Sequence, residues 1–268
     1  MELATRYGPW AVVTGGSEGV GLEWCRALAR QGINLLILAR RVAVLEEAAK
    51  ELRAAGVDVR TVARDITDPD LRDVLRAATS EIEVGLVVHN VGSRDRTHGD
   101  FLDDSLDVGM KTIDANSVAA VTLTHLFAPA MAERGRGGLI FVGPLAGIAG
   151  QALEATYSAA KAFTQYLAEA LWSELTDRGV DVVCVPLAGT RTPELEAKAL
   201  MDVSMLPTAE EVVTEAMAHL QDGPVFVPGE ANRRLFDKTT GPRSPCGDPG
   251  YVQARPPRCG HRLNQRET

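Results

Sequence analysis

A doubly wound parallel sheet flanked by helices, in a single α/β domain, is the fold class that this 268-residue sequence predicts, from three observations. Short apolar runs recur along the chain, segments of helix length separate them, and a glycine-rich turn follows the first run. The runs are continuous rather than alternating, as expected of strands covered by helices on both faces.

Seven runs read as strands: Trp10–Thr14, Ile33–Ala39, Val57–Val62, Val84–Asn90, Leu139–Val142, Val180–Val185 and Val225–Val227. Strands that alternate with helices imply a parallel sheet of about seven strands. Leu22, Cys25, Leu28 and Ala29 recur at helical spacing after the first strand, and Leu45, Ala48, Ala49 and Leu52 after the second, so both sets are expected to face the core. Thr208-Ala209-Glu210-Glu211 reads as a capped helix start, and Gly223-Pro224 as the stop before the seventh strand. From about Thr239 the apolar period ends in a Pro- and Arg-rich segment. Residues 1–238 are therefore read as one domain and 239–268 as a disordered tail.

Composition narrows the function classes. A net charge of −8, with no basic stripe, argues against a nucleic-acid binder, which needs concentrated cations to displace counterions. The longest apolar runs fall well short of the roughly 20 residues of a membrane-spanning helix. No secretory leader is legible before Trp10, so a cytoplasmic location is the expectation. Cys25 and Cys184 fall within a helix and a strand and read as small buried hydrophobes. Cys246, Cys259 and His261 have irregular spacing in the tail, so no metal site is expected.

Two segments carry chemistry. The turn Thr14-Gly15-Gly16-Ser17-Glu18-Gly19-Val20-Gly21 joins the first strand to the first helix of the alternating pattern, where a dinucleotide pyrophosphate meets unpaired backbone N–H groups. An acidic residue at the end of the second strand would select NAD through its ribose hydroxyls. Here Ala39 is followed by Arg40 and Arg41, two cations suited to the 2′-phosphate of NADP(H). Farther on, Tyr157-Ser158-Ala159-Ala160-Lys161 places a phenol and an ammonium one helical turn apart. A nearby ammonium favours the phenolate, which makes proton exchange with a carbonyl or alcohol accessible.

These motifs together resemble the short-chain dehydrogenase/reductase superfamily, over residues 8 to about 236. The turn has the form Thr-Gly-x-x-x-Gly-x-Gly, and His89-Asn90-Val91-Gly92 is similar to the family's Asn-Asn-Ala-Gly motif, which supports the central sheet. The resemblance implies a Rossmann-like domain and an adenine contact at Asp65, beside Ile66. It implies a proton-relay role for Asn116, a ribose contact for Lys161 and nicotinamide contacts for Thr190 or Thr192. Cofactor contacts are thus expected at Gly15, Ser17, Glu18, Gly19, Val20, Gly21, Arg40, Arg41, Asp65, Ile66, Asn90, Gly92, Tyr157, Lys161, Thr190 and Thr192, and catalysis at Tyr157, Lys161 and Asn116. The sequence departs from the family where Pro144 stands thirteen residues before Tyr157, at the place of the usual catalytic serine, and where Leu187 replaces a glycine. Proline has neither a hydroxyl nor a backbone N–H to hold a substrate oxygen.

The expectation is an NADPH-dependent oxidoreductase that interconverts a carbonyl and an alcohol. Leu195, Leu200, Met201, Met205 and Leu206, in a lid expected over 192–207, suggest an apolar small-molecule substrate. The first strand, turn and helix look most like those of hydroxysteroid and long-chain ketoacyl reductases. Two alternatives stay open: an NADP(H)-binding protein without redox turnover, and a lyase or isomerase using Tyr157 as acid and base. His89 and His125 read as structural residues. The stripe Phe163, Tyr166, Leu167, Leu171 and Trp172 reads as core or subunit interface, and the resemblance implies a homodimer or homotetramer paired through the helices containing Asn116 and Tyr157.

Overall fold

A computed structural model describes residues 2–92, 101–187, 189–191 and 206–240. Its elements run α1 (Glu2–Tyr7), β1 (Trp10–Thr14), α2 (Gly19–Arg30), β2 (Asn34–Ala39), α3 (Val42–Ala54), β3 (Val59–Ala63), α4 (Leu71–Thr79) and β4 (Val84–His89). They continue with α5 (Leu106–Ile113), a π-helical turn (Asp114–Val118), α6 (Ala119–Arg134), β5 (Gly137–Pro144), α7 (Ala155–Leu175), β6 (Val180–Leu187), α8 (Ala209–Ala218) and α9 (Glu230–Thr240). The expected tail lies outside the described residues from 241 onward, and α9 carries the fold two residues past the expected boundary at 238.

The sheet has six strands in the order β3-β2-β1-β4-β5-β6, all parallel. The seventh expected strand is a correction. Val225 forms only an isolated parallel bridge to Cys184, with Cys184 donating to the Pro224 carbonyl and Phe226 donating to the Cys184 carbonyl. Pro224 and Pro228 bracket this segment, and neither has an N–H to extend a ladder. The helix before it also ends early, at Ala218 rather than at Gly223-Pro224.

The continuous apolar runs fill two cores, because successive side chains in a strand point to opposite faces. Leu35 and Ile37 of β2 pack with Trp24 of α2, Leu45 and Leu52 of α3 and Val213 of α8. Leu36 and Leu38 pack on the other face with Leu75 of α4, Leu123 of α6 and Ala168 of α7. Thr208 caps α8 through a reciprocal box with Glu211, an arrangement that stabilises a helix start by about 1 kcal/mol. Strand order reverses between β1 and β4, and in open sheets of this kind ligands bind in the crevice beyond the strand ends at that reversal. Gly15 and Asn90 stand at this point.

Candidate active site

The glycine turn leaves β1 at Thr14. Gly15 takes a left-handed φ of 67° and donates to the Leu38 carbonyl at 2.7 Å. The turn lies so close to α2 that a Cβ on Gly21 would stand 2.0 Å from the Gly15 carbonyl oxygen, so no larger residue fits at 21. Gly19 opens α2, and the N-cap residue Glu18 makes no side-chain bond to the helix. The first N–H groups of α2 are thus left without a side-chain cap, the condition under which a helix N-terminus receives an anion. Ser17 is buried, Val20 packs against the first core, and Asn90 Nδ2 donates to the Gly15 carbonyl at 3.4 Å.

At the outer edge of this crevice the ends of β2 and β3 meet the turn. Arg41 pairs with Glu18, and Arg40 lies 3.6 Å from Asp65. Burial pushes the Asp65 carboxyl up, but the Thr67 amide and hydroxyl and the Arg40 guanidinium outweigh it and hold the group below the usual carboxylate range. Ile66, beside it, is buried. The two expected phosphate-binding cations are therefore brought to the turn, each beside a carboxylate.

Deeper in the crevice, Tyr157, Lys161 and Asn116 are all buried, the last completely. Tyr157 and Lys161 lie one turn apart on α7, with Lys161 Nζ 5.9 Å from the phenol ring centre. A Cβ built on Gly92 would stand 3.2 Å from Lys161 Nζ and 3.7 Å from Asn116 Oδ1, so both polar atoms flank one spot beside that glycine. Asn116 Oδ1 is buried and has no hydrogen-bond partner among the described residues, while Asn116 Nδ2 donates to the Thr112 carbonyl at 2.7 Å. An acceptor stripped of water and left unpaired is costly unless a ligand or water meets it. The residues present therefore fit a nucleotide with a polar group at its inner end.

Asn116 sits in the π turn between α5 and α6, a feature that neither spacing nor composition signalled. Such single-turn π segments widen the helix and frequently occur at functional sites. His89 is buried against this turn. His125 is exposed on α6.

Pro144 closes β5, its backbone in register with Leu187 of β6. Thr190 is buried, whereas Thr192 and most of the expected lid, residues 192–205, lie outside the described residues. The Cys25 and Cys184 thiols are buried and free, and burial pushes Cys184 up to about 12 and Cys25 further still. No metal-holding cluster occurs among the described residues, and Cys246, Cys259 and His261 lie outside them. No described helix is long and apolar enough to cross a membrane.

An apolar surface borders α7. An open groove of about 470 Å³ runs between the π turn and α7, lined by Ile113, Val118, Val121, Thr156 and Phe163 among others. Phe163, Tyr166 and Trp172 of the expected stripe are exposed, while Leu167 and Leu171 pack against the second core.

Comparison with known proteins identifies the family and the fold. The short chain dehydrogenase family model matches residues 9–203. The chain is 30% identical over 242 residues to a 7β-hydroxysteroid dehydrogenase of Mediterraneibacter gnavus, covering 87% of this chain and 90% of that one. It is 35% identical over 181 residues to a very-long-chain 3-oxoacyl-CoA reductase of Neurospora crassa, covering 66% of this chain and 54% of the reductase. A structure from work on 7β-hydroxysteroid dehydrogenase stereoselectivity superposes with a TM-score of 0.84 at 28% identity, over 90% of this chain and 95% of the other. A short-chain dehydrogenase from Sphingobium yanoikuyae in complex with NADPH superposes with a TM-score of 0.71 at 29% identity, over 82% and 87%.

Proposed function

This chain belongs to the short-chain dehydrogenase family, and from that premise we propose that it is an NADPH-dependent oxidoreductase interconverting a carbonyl and an alcohol on an apolar small molecule. The observation that carries the proposal is the convergence of Lys161 Nζ and Asn116 Oδ1 beside Gly92, one helical turn from the buried phenol of Tyr157.

Gly15, Ser17, Gly19, Val20 and Gly21 would receive the pyrophosphate at the uncapped start of α2, with Asn90 bracing the turn. Arg40 and Arg41 would hold a 2′-phosphate, and Asp65 with Ile66 the adenine. Lys161 would hold the inner ribose, with Thr190 and Thr192 against the nicotinamide. When bound, NADPH supplies a hydride to the carbonyl carbon. The Tyr157 hydroxyl donates its proton to the carbonyl oxygen, and in the reverse direction the phenolate takes that proton from the alcohol. Asn116 Oδ1 offers a buried acceptor that would orient the lysine and hold a water from which a replacement proton would reach it.

The 7β-hydroxysteroid and very-long-chain acyl relatives support an apolar substrate. The exposed groove and the Phe163, Tyr166 and Trp172 face support a homodimer, alone or doubled into a tetramer, since apolar patches on this scale commonly mark subunit contacts. A cytoplasmic setting belongs to the same reading.

Pro144 favours a second reading, an NADP(H)-binding protein without redox turnover. Losing one preorganised donor at developing charge costs on the order of 3 kcal/mol, or about a hundredfold in rate. Incubation with NADPH and steroid, long-chain acyl and simple ketones separates the two. Ketone-dependent NADPH oxidation that Tyr157→Phe abolishes supports the oxidoreductase. Tight NADPH binding without turnover on any ketone supports the second reading, and product formed without net NADPH consumption points to a lyase or isomerase.

A further inference from the structure

The family's sheet-supporting motif contains His89 here, and this imidazole does more than fill the sheet. It is 1% exposed at the end of β4, with its ring edge-on to Phe141 at 6.4 Å. Its Nε2 lies 3.4 Å from the backbone oxygen of Asn116, and its Nδ1 lies 3.4 Å from Thr14 Oγ1. Thr14 is the last residue of β1, directly before the glycine turn, and Asn116 is the centre of the π turn. One buried ring thus spans from the cofactor turn to the catalytic amide.

The proton positions along this path follow from the partners. A carbonyl can only accept, so Nε2 carries the hydrogen and donates to Asn116. Nδ1 is then an acceptor, and it shares the Thr14 hydroxyl proton with the Val88 carbonyl, 3.5 Å from that oxygen. The hydroxyl accepts in turn from the Asn90 amide at 3.1 Å and the Val91 amide at 3.4 Å, which occupies both of its lone pairs. A second proton on the ring would aim Nδ1–H at an oxygen with nothing left to accept it. Burial, and then the charge of Lys161, oppose that proton as well and push the imidazole down to about 3. The two ring contacts are long, so they act by direction, and among the described residues the ring has no closer hydrogen-bond partner.

The Asn116 carbonyl also lies 3.3 Å from Thr164 Oγ1 of α7, whose proton it shares with the Ala160 carbonyl at 3.2 Å. Two side chains from two different elements therefore grip the peptide of the residue whose Oδ1 stands unpaired beside Lys161. Rotation of that peptide would swing the amide away from the lysine.

We propose that neutral His89, in its Nε2–H form, is a positioning residue that locks the Asn116 turn and couples it through Thr14 to the glycine turn, so that Asn116 Oδ1 faces Lys161. This inference rests on the oxidoreductase reading, and its test includes a measurement independent of turnover. His89→Gln keeps a donor near the Nε2 position, His89→Asn places its amide near Nδ1 and falls short of Asn116, and His89→Phe fills the space with no polar atom.

A displacement of about 1 Å at a catalytic group costs on the order of a hundredfold, so kcat in His89→Phe and His89→Asn is expected to fall about ten- to a hundredfold, with NADPH Kd and substrate KM within about threefold of the parent. His89→Gln is expected to recover kcat to within about threefold of the parent, although all three variants lose some thermal stability. In ¹⁵N spectra of the wild type, His89 is expected to show one neutral Nε2–H ring from pH 8 to pH 5. The side-chain amide signal of Asn116 is expected to move in the Phe and Asn variants and return toward the wild-type position in Gln.

Full kcat in His89→Phe, or losses in all three variants that follow melting temperature without rescue by Gln, would overturn the proposal. So would an Nδ1–H ring or an unmoved Asn116 signal. If none of the ketones drives NADPH oxidation by the wild type, the oxidoreductase reading fails on its own, and the ring and amide signals still decide whether His89 holds the turn.

Discussion

Lys161 Nζ stands 5.9 Å from the ring centre of Tyr157, close enough for its charge to act on the phenol and on the same wall of the crevice. Proton transfer by a positioned side chain contributes about 10²- to 10⁴-fold. Tyr157→Phe and Lys161→Met should each lower kcat for ketone reduction by that order. NADPH should still bind Tyr157→Phe with nearly parental affinity, because the phenol oxygen serves chemistry, whereas Lys161→Met should also weaken the cofactor. Steady-state NADPH oxidation and fluorescence titration report the two effects separately.

Gly92→Ala probes the space between the lysine and the asparagine. The backbone at Gly92 is not in the left-handed region, so alanine is tolerated conformationally. The new methyl would lie 3.2 Å from Lys161 Nζ, and the ammonium must retreat by a few tenths of an ångström. We expect kcat to fall about tenfold while the melting temperature holds, a split between positioning and stability. Unchanged turnover would show that the ammonium works from some other place.

The Arg41–Glu18 pair places a carboxylate where a 2′-phosphate would compete for the same guanidinium. Glu18→Gln is expected to tighten NADPH binding and leave NADH unaffected. The gain should not exceed about fivefold, since an exposed ion pair is worth up to about 1 kcal/mol. Arg40→Ala combined with Arg41→Ala should weaken NADPH far more than NADH. Equal losses for the two cofactors would remove the phosphate assignment.

Pro144→Ser restores a hydroxyl at the end of β5, thirteen residues before Tyr157. A preorganised donor to developing charge is worth about a hundredfold in rate, so kcat should rise tenfold or more if the missing donor limits the parent enzyme. No rise would show that another group already holds the substrate oxygen.

His89 gives a pH dependence with a definite sign. Its folded pKa, about 3, lies below the ordinary histidine value near 6.5, so at mildly acidic pH the unfolded chain binds a proton that the folded chain does not. Its contribution to stability is therefore whole above about pH 6.5 and declines as pH falls toward 3, by up to about 1.4 kcal/mol per pH unit. Denaturant titrations between pH 7 and pH 5 should show a shallower loss for His89→Gln than for the parent. Parallel curves would contradict a buried neutral ring.

Most of the fold could be read from local patterns. The inner strands β2, β1, β4 and β5 announce themselves because strands buried on both faces are apolar at nearly every position, whereas the edge strand β3 carries the half-buried Arg60 and Thr61; the Leu45, Ala48, Ala49 and Leu52 stripe is buried as helical spacing requires. The seventh strand misled because an apolar triplet says nothing about its neighbours, and the prolines at 224 and 228 deny it a ladder.

By itself the sequence determined the two dense motifs of the site, the glycine turn and the Tyr157–Lys161 pair, because each acts within one turn of backbone and its spacing is its geometry. Only the tertiary structure decided that Glu18 meets Arg41, that Asp65 meets Arg40, and that Asn116 rides a π turn gripped by His89 and Thr164. Those partners lie 23 to 48 positions apart and are joined by sheet register and helix packing. Contacts of that kind leave no period in the chain, because the distance that matters to them is measured across the fold.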